Sequence, residues 1–316
     1  EMAMTTFILK RIGAGIVLLV AITMLTYTLL FFSGTNIARN ILGDTATDEQ
    51  VALKEAELGL DQPLYIRFVD WASAAIRGDL GTSWFSSESV VDALAARLPV
   101  TLTLVIVAMS LVAIIAAFLG TTAAVKGGWV DRMVQIGAVI GDAIPGFVLA
   151  IILVTIFAIQ LGIFPAVSTI APGAGPEAWV ASMTLPIIAI VINYVASSAQ
   201  QIRSAVLDQY RRDYVRTLRS RGIPEHEILY KHVLRSASPA GLTIISLQFI
   251  GLLGGVVIIE QIFALPGIGP LAINATALGD IPIVMGVVLV TVTIVIIVNL
   301  LVDLANGALN PKVRVS

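Results

Sequence analysis

Cysteine is absent from this chain, and with it disulfides, thiolate chemistry and cysteine-ligated metal. Histidine is nearly absent: His226 and His232 lie in one polar stretch, too few for a His-rich metal site. Charge is scarce as well. Of 316 residues 13% are charged and 57% hydrophobic, with a mean hydropathy of +0.94, which lies outside the range of a soluble domain. The phosphate-loop pattern G-x-x-x-x-G-K-[ST] does not occur, GTTAAVKGG at 120–128 lacking its spacing, so any ATP-driven step belongs to another chain. The pattern G-x-S-x-G is missing too, and with both histidines in one stretch no Ser-His-Asp constellation forms. These absences speak against an enzyme and for an all-helical membrane protein.

What the chain does contain is long apolar runs. A helix needs about 20 mainly apolar residues to cross the hydrocarbon core, and six segments reach that length: 12–32, 99–125, 133–161, 183–205, 239–259 and 283–306. The opening EMAMTTFILKR does not start at Met, so Glu1 reads as a processing remnant; the first run, too long for a cleaved signal peptide, reads as a retained span. Loop charge then sets the expected orientation. Lys10 and Arg11 precede span one, Lys126 and Arg132 bracket the turn between spans two and three, and Lys312 and Arg314 follow span six. Arg203, Arg211, Arg212, Arg216, Arg219, Arg221, Lys231 and Arg235 crowd the segment 203–238, whereas 162–182 and 261–280 hold neither Lys nor Arg. Both termini and the loop 203–238 are therefore expected on the cytoplasmic side.

The long segment 34–98 carries Arg39, Lys54, Arg67, Arg77 and Arg97, outnumbered by acidic residues, and is expected outside. TDEQ at 47–50 has the capping-box pattern, Thr47 as cap and Gln50 three residues on, opening a helix that Gly59 can stop. After LDQP a second amphipathic helix, with Leu64, Phe68, Trp71 and Ile76 in register, runs to Gly78. The expectation is a small external cap of short helices on a single transmembrane domain, 1–316; a solvated lid without a specific role is the alternative.

The most charged stretch, DYVRTLRSRGIPEHEILYKHVLRS at 213–236, has an internal order. Tyr214, Val215 and Leu218 share one helical face ringed by Arg211, Arg212, Arg216, Arg219 and Arg221, and Gly222 supplies a left-handed stop. A second helix follows, with Pro224 at its first position and Glu225 and Glu227 in its first turn. An apolar ridge rimmed by arginines suits docking of a protein partner; contact of the arginines with anionic lipid head groups is the alternative. No feature calls for nucleic acid.

Inside the spans polar residues are few, and a translocated solute should leave its marks there. Asp142 stands just before IPGF, where Pro145 should kink span three and free backbone groups. Asn193, Ser197 and Ser198 lie in span four, Gln248 in span five and Asn299 in span six. For Asn and Gln, hydrogen bonds that hold the bundle are as good a reading as lining a path, and Asp142 could pair with a basic neighbour. GAVIG at 137–141 and GLLGG at 251–255 offer small-residue faces for close helix packing.

DYVRTLRSRG with HVLRSA, LGLDQPLYIRFVDW with GDLGTSW, EQIFALPGIGPLAINA and NLLVDLANGALNPKVR together resemble the membrane-spanning permease subunits of ABC importers, in the dipeptide/oligopeptide/nickel branch. Two positions depart from the pattern. Arg216, Thr217 and Leu218 stand where the broader importer signature has Glu-Ala-Ala, and Gly279 stands where a basic residue precedes Asp280, Ile281 and Pro282. The resemblance implies a six-span permease of a prokaryotic inner or plasma membrane, forming half of a translocation path. A homologous second permease subunit, two cytoplasmic ABC ATPase subunits or domains and an external solute-binding protein would complete it. Tyr214, Val215, Arg216, Leu218, Arg219, Gly222, Pro224 and Glu225 would form the coupling element on which an ATPase pushes. ATP and Mg would be bound by the partner chains, with no cofactor or metal on this one. Short peptides are the implied cargo, with nickel, haem or sugar as alternatives. The competing class is an ion-coupled secondary transporter, in which Asp142, Glu260 or Asp303 would carry a proton or bind the coupling ion.

Overall fold

The computed structural model describes residues 2–33 and 37–309; Glu1, Lys312, Arg314 and the last residues of the carboxyl-terminal motif fall outside them. The apolar runs fold as helices: α1 (Met2–Phe31), α2 (Ile37–Leu42), α3 (Asp48–Glu57), α4 (Leu64–Ile76), α5 (Val90–Lys126), α6 (Gly128–Ala143) and α7 (Gly146–Leu153). After a π-helical turn at Val154–Gln160 come α8 (Pro176–Tyr210), α9 (Asp213–Ser220), α10 (Glu225–Glu227), a second π turn at Ile228–Val233, α11 (Leu234–Ile262), α12 (Ile268–Leu278) and α13 (Ile281–Leu309).

Among the described residues five helical lines are long and apolar enough to cross a bilayer: Ile8–Phe31, Val90–Lys126, Pro176–Tyr210, Glu225–Ile262 and Ile281–Ala308. The sixth expected span, 133–161, is two pieces. α6 and the line from α7 through the first π turn meet at 90°. Pro145 is the cause: it forces the preceding Ile144 out of the helical region, to φ −98 and ψ 114, and itself stands as N-cap of α7. Several helices also overrun the expected limits. α5 begins at Val90 and carries Pro99 in its interior, and Pro239 lies inside α11.

The chain divides into two units, through both of which α1, α5 and α13 run. One contains Lys10–Thr101 and Pro266–Ile296. Its core joins Val90, Ala93 and Leu94 of α5 to Ile268, Ala275, Ile283, Val284 and Val287; a second cluster sets Tyr27 and Ile37 against Ile281 and Met285. α3 opens with the expected capping box, Gln50 N donating to Thr47 Oγ1 (3.3 Å) and Thr47 N to Gln50 Oε1 (3.0 Å). Of the face expected of α4, Leu64, Phe68 and Trp71 pack on the second cluster. Ile76 does not: it is 88% exposed, because the helical period carries it roughly 110° around the axis from that face.

The other unit contains Leu102–Leu265 and the described parts of Glu1–Leu9 and Ile297–Ser316. Its tightest helix contact was not among the expected small-residue faces. A Cβ at Gly120 of α5 would stand 2.6 Å from the backbone oxygen of Ala199 in α8, so the two helices touch backbone to backbone there. GAVIG packs as expected, Gly141 lying 3.5 Å from the Ala196 methyl in the same sense, whereas Gly251 and Gly254 face open space.

Candidate functional site

The charged stretch between α8 and α11 forms an elbow. Val215 of α9 is fully buried with Ile228, Leu229, Val233 and Ala237, and Tyr214, Leu218 and Ile223 pack half-buried against the same cluster. The apolar ridge therefore faces this chain's own interior, contrary to the expectation that it lies open for a partner. A short helix with a negative mean hydropathy can stay docked only by burying what apolar surface it has. The outward face consists of Arg212, Asp213, Arg216, Thr217, Arg219, Ser220 and Arg221, all exposed.

The elbow's corner is tightly specified. Ile223 N donates to Leu218 O (3.2 Å) and Gly222 N to Arg219 O (2.9 Å), with Gly222 at φ +78, the paired bonds of a left-handed helix stop. Pro224 follows as an extended N-cap (φ −69, ψ 147), so the second helix starts at Glu225, one residue later than expected. Across the corner Arg219 Nε and Nη2 donate to Glu225 Oε1 and Oε2 (2.5 and 3.1 Å), while the guanidinium lies 5.9 Å from the Tyr210 ring centroid. Those hydrogen bonds raise the Arg219 guanidinium above its ordinary value. From Glu225 the backbone runs on as one helical line to Ile262.

The broken helix frames a second locus. Asn193 of α8 donates from Nδ2 to the carbonyl of Ile144 (3.1 Å), capping a backbone acceptor that the break has freed. Gly146 lets this amide approach, since a Cβ there would sit 3.3 Å from Asn193 Oδ1. A cavity of about 160 Å³ opens beside it, bounded by Gly146, Phe147, Asn193, Tyr194, Leu252 and Gly255. Further along α8, a wider cleft of about 630 Å³ runs between α8 and α11, with Gln200, Gln201, Ser204, Asp208, Gln209 and Arg212 on its wall. Arg203, on the same helix, makes a bidentate ion pair with Asp131 of α6, Nη2 to Oδ2 at 2.7 Å, both side chains about four-fifths buried.

In the other unit Asp280 is 4% exposed and holds the segment after α4: Ser83 Oγ donates to Oδ2 at 2.5 Å and Trp84 N to Oδ1 at 3.2 Å.

Two family models cover nearly all of the chain. Residues 109–315 match the binding-protein-dependent transport system inner membrane component, and residues 4–105 match the N-terminal part of membrane components of the same systems. The chain belongs to this permease family. A protein of Brucella abortus strain 2308, named as a peptide transport system permease, is 36% identical over 98% of this chain and 99% of its own length. A Sinorhizobium fredii protein named a probable peptide ABC transporter permease is 34% identical over 98% and 100%. The glutathione transport system permease protein GsiC of Escherichia coli K12 is 33% identical over 98% and 99%. The chain is thus a permease subunit, a transporter component of a multi-pass inner membrane type.

Within this permease the expected coupling residues converge: Tyr214 to Glu225 form one corner. The expected path residues scatter. Asn193 alone borders the cavity at the break, and its bond to Ile144 is the bundle-holding role left open by the sequence. Asn299 accepts from Ser246 Oγ (3.3 Å) and Ser197 from Gln201 Nε2 (3.4 Å), both local to the bundle. Gln248 is half-buried in α11 away from both openings, and Asp142 is exposed in the last turn of α6, making no ion pair among the described residues. Glu260 is fully buried, and neither it nor Asp303 is free of partners. Sequence reasoning missed Tyr194, the Asp131–Arg203 pair and the polar wall of α8. That wall was visible as Gln, Ser, Asp and Arg at helical spacing, but the ion pair joins residues far apart in sequence with no local signal.

Proposed function

We propose that this chain is the membrane permease of an ATP-driven importer of short peptides, with both termini and the α9 elbow on the cytoplasmic side. A homologous second permease subunit completes the path, two ABC ATPase subunits or domains bind ATP and Mg, and an external solute-binding protein delivers the peptide. The observation that carries this reading is the elbow. Its corner is stapled by Arg219 and Glu225 and anchored by Val215, and it continues without a break into the helical line Glu225–Ile262. A load on the exposed arginines of α9 is thereby passed along α11 to the wall of the cavity at Leu252 and Gly255. The open face at Gly251 and Gly254 leaves room for a second permease helix. The peptide cargo is supported by the names of the Brucella, Sinorhizobium and Escherichia relatives.

The test is reconstitution. Proteoliposomes holding the permease with its partner subunits, given a labelled di- or tripeptide and the binding protein outside, should accumulate peptide when ATP is trapped with the ATPases. The permease alone should neither hydrolyse ATP nor take up peptide. Uptake by the isolated chain driven by an ion gradient would overturn the proposal in favour of a secondary transporter.

A further inference from the structure

The helix α4 has two apolar faces, and its own chain uses only one. Leu64, Phe68 and Trp71 pack inward. At the helical period, Tyr65, Val69, Ala72 and Ile76 fall on a second stripe roughly 110° around the axis. Tyr65, Val69 and Ile76 on that stripe are 68%, 60% and 88% exposed. The remaining sector holds Asp70, Ser73 and, at its end, Arg77, with one apolar residue, Ile66, exposed at 37%. A helix bathed in water on its free side would be polar over both exposed sectors. Three sectors, one packed, one wholly apolar and one mainly polar, fit a helix with protein beside it, lipid beneath it and water above it.

The depth of α4 agrees. Counting about 20 residues, or 30 Å, from the first apolar residue Ile12 places the end of the hydrocarbon near Phe31. α4 is stacked against α1 one turn short of that end: the Tyr27 ring lies 5.8 Å from Phe68 and 6.5 Å from Trp71. Arg67 of α4 sets its guanidinium 5.4 Å from the ring of Phe31 itself. α4 therefore lies at the boundary between acyl chains and head groups. Leu25 and Leu29 of α1 and Phe32 just after it are 59%, 64% and 72% exposed, so apolar surface is also open at that end of the span.

We infer that α4 is an in-plane membrane helix that buries Tyr65, Val69 and Ile76 in the leaflet where α1 ends. The inference is independent of cargo and of ATPase coupling. The absence of cysteine allows a direct test. Single variants Val69→Cys, Ile76→Cys and Asp70→Cys, each carrying a nitroxide, are reconstituted as full-length permease in phosphatidylethanolamine/phosphatidylglycerol vesicles. Collision rates with molecular oxygen and with a water-soluble nickel chelate are then compared. At 69 and 76 oxygen should be favoured several-fold over the chelate, with depths of about 5–10 Å below the phosphates, while at 70 the chelate should be favoured. Chelate access at 69 and 76 equal to that at 70 would overturn the inference, leaving the stripe open to water. Loss of access to both reagents would overturn it too, showing the stripe packed against protein.

Discussion

At the residue scale, two side chains hold structure that no neighbour could supply. Asp280 is a buried acceptor for Ser83 and Trp84. Asp280→Ala leaves the Ser83 O–H and the Trp84 N–H without an acceptor, although Ser83 Oγ still accepts from Phe85 N and Ser86 N, a loss of about 1–3 kcal/mol. It should appear as a lower melting temperature of the detergent-purified permease and faster proteolysis after Gly81, whereas Asp280→Asn, which keeps an acceptor, should lose less. Asn193 acts through its donor. Asn193→Asp removes the N–H that reaches the Ile144 carbonyl and sets a charged oxygen against it, so it should destabilise more than Asn193→Ser in the same thermal measurement. If both variants melt with the parent protein, the break at Pro145 needs no cap from α8.

At the element scale, the inward turn of α9 changes what its substitutions test. Val215→Ala removes part of a fully buried side chain, and a buried Val is worth about 1.5–3 kcal/mol in all; Leu218→Asp adds a carboxylate to the same packed face. Both should loosen the elbow itself, read as trypsin cleavage within the arginines of 211–221 before any partner is added. Arg216→Ala on the exposed face should leave cleavage at the remaining arginines unchanged and, under the proposed coupling, weaken only partner association. Gly222→Val acts by backbone alone: nothing lies near its Cβ position, but φ +78 is a conformation that costs a non-glycine residue about 1–2 kcal/mol, and more when β-branched. Gly222→Asn should therefore be the mildest replacement. Arg219→Ala breaks an ion pair whose partners are 45% and 60% exposed, so its effect should stay below about 1 kcal/mol and shrink with added salt.

At the scale of the whole molecule, the 90° break gives the α6–α7 pair two possible courses, one crossing or a return to the side it left. Single cysteines at Lys126, Ser168, Ser220 and Thr276, probed in intact cells with an impermeant thiol reagent, decide between them by parity. If the pair is one crossing, Lys126→Cys and Ser220→Cys share a side, while Ser168→Cys and Thr276→Cys label on the other. Labelling of Lys126→Cys and Ser220→Cys on opposite sides would show five crossings and a re-entrant hairpin. Six crossings with Ser220→Cys protected from outside is the expected result, because 162–182 and 261–280 hold no Lys or Arg.

Much of this was legible in the sequence because the signals are local. Apolar run length determines which segments can span, Thr47 with Gln50 determines where α3 begins, and Gly222 before Pro224 determines where α9 stops and the next helix starts. The tertiary structure alone decided what each polar or apolar face meets. Val215 and Leu218 have the same sequence pattern whether they face a partner or their own chain; only packing against Ile228 and Val233 chose the second. Asn193 was legible only as a polar residue in a span; the carbonyl freed at the break before Pro145 took its N–H, while its side chain also borders the cavity. Asp131 found Arg203, and Asp280 found Ser83, across separations at which no periodicity operates. Periodicity tells which residues share a face, whereas the contact that face makes depends on where the rest of the chain comes to lie.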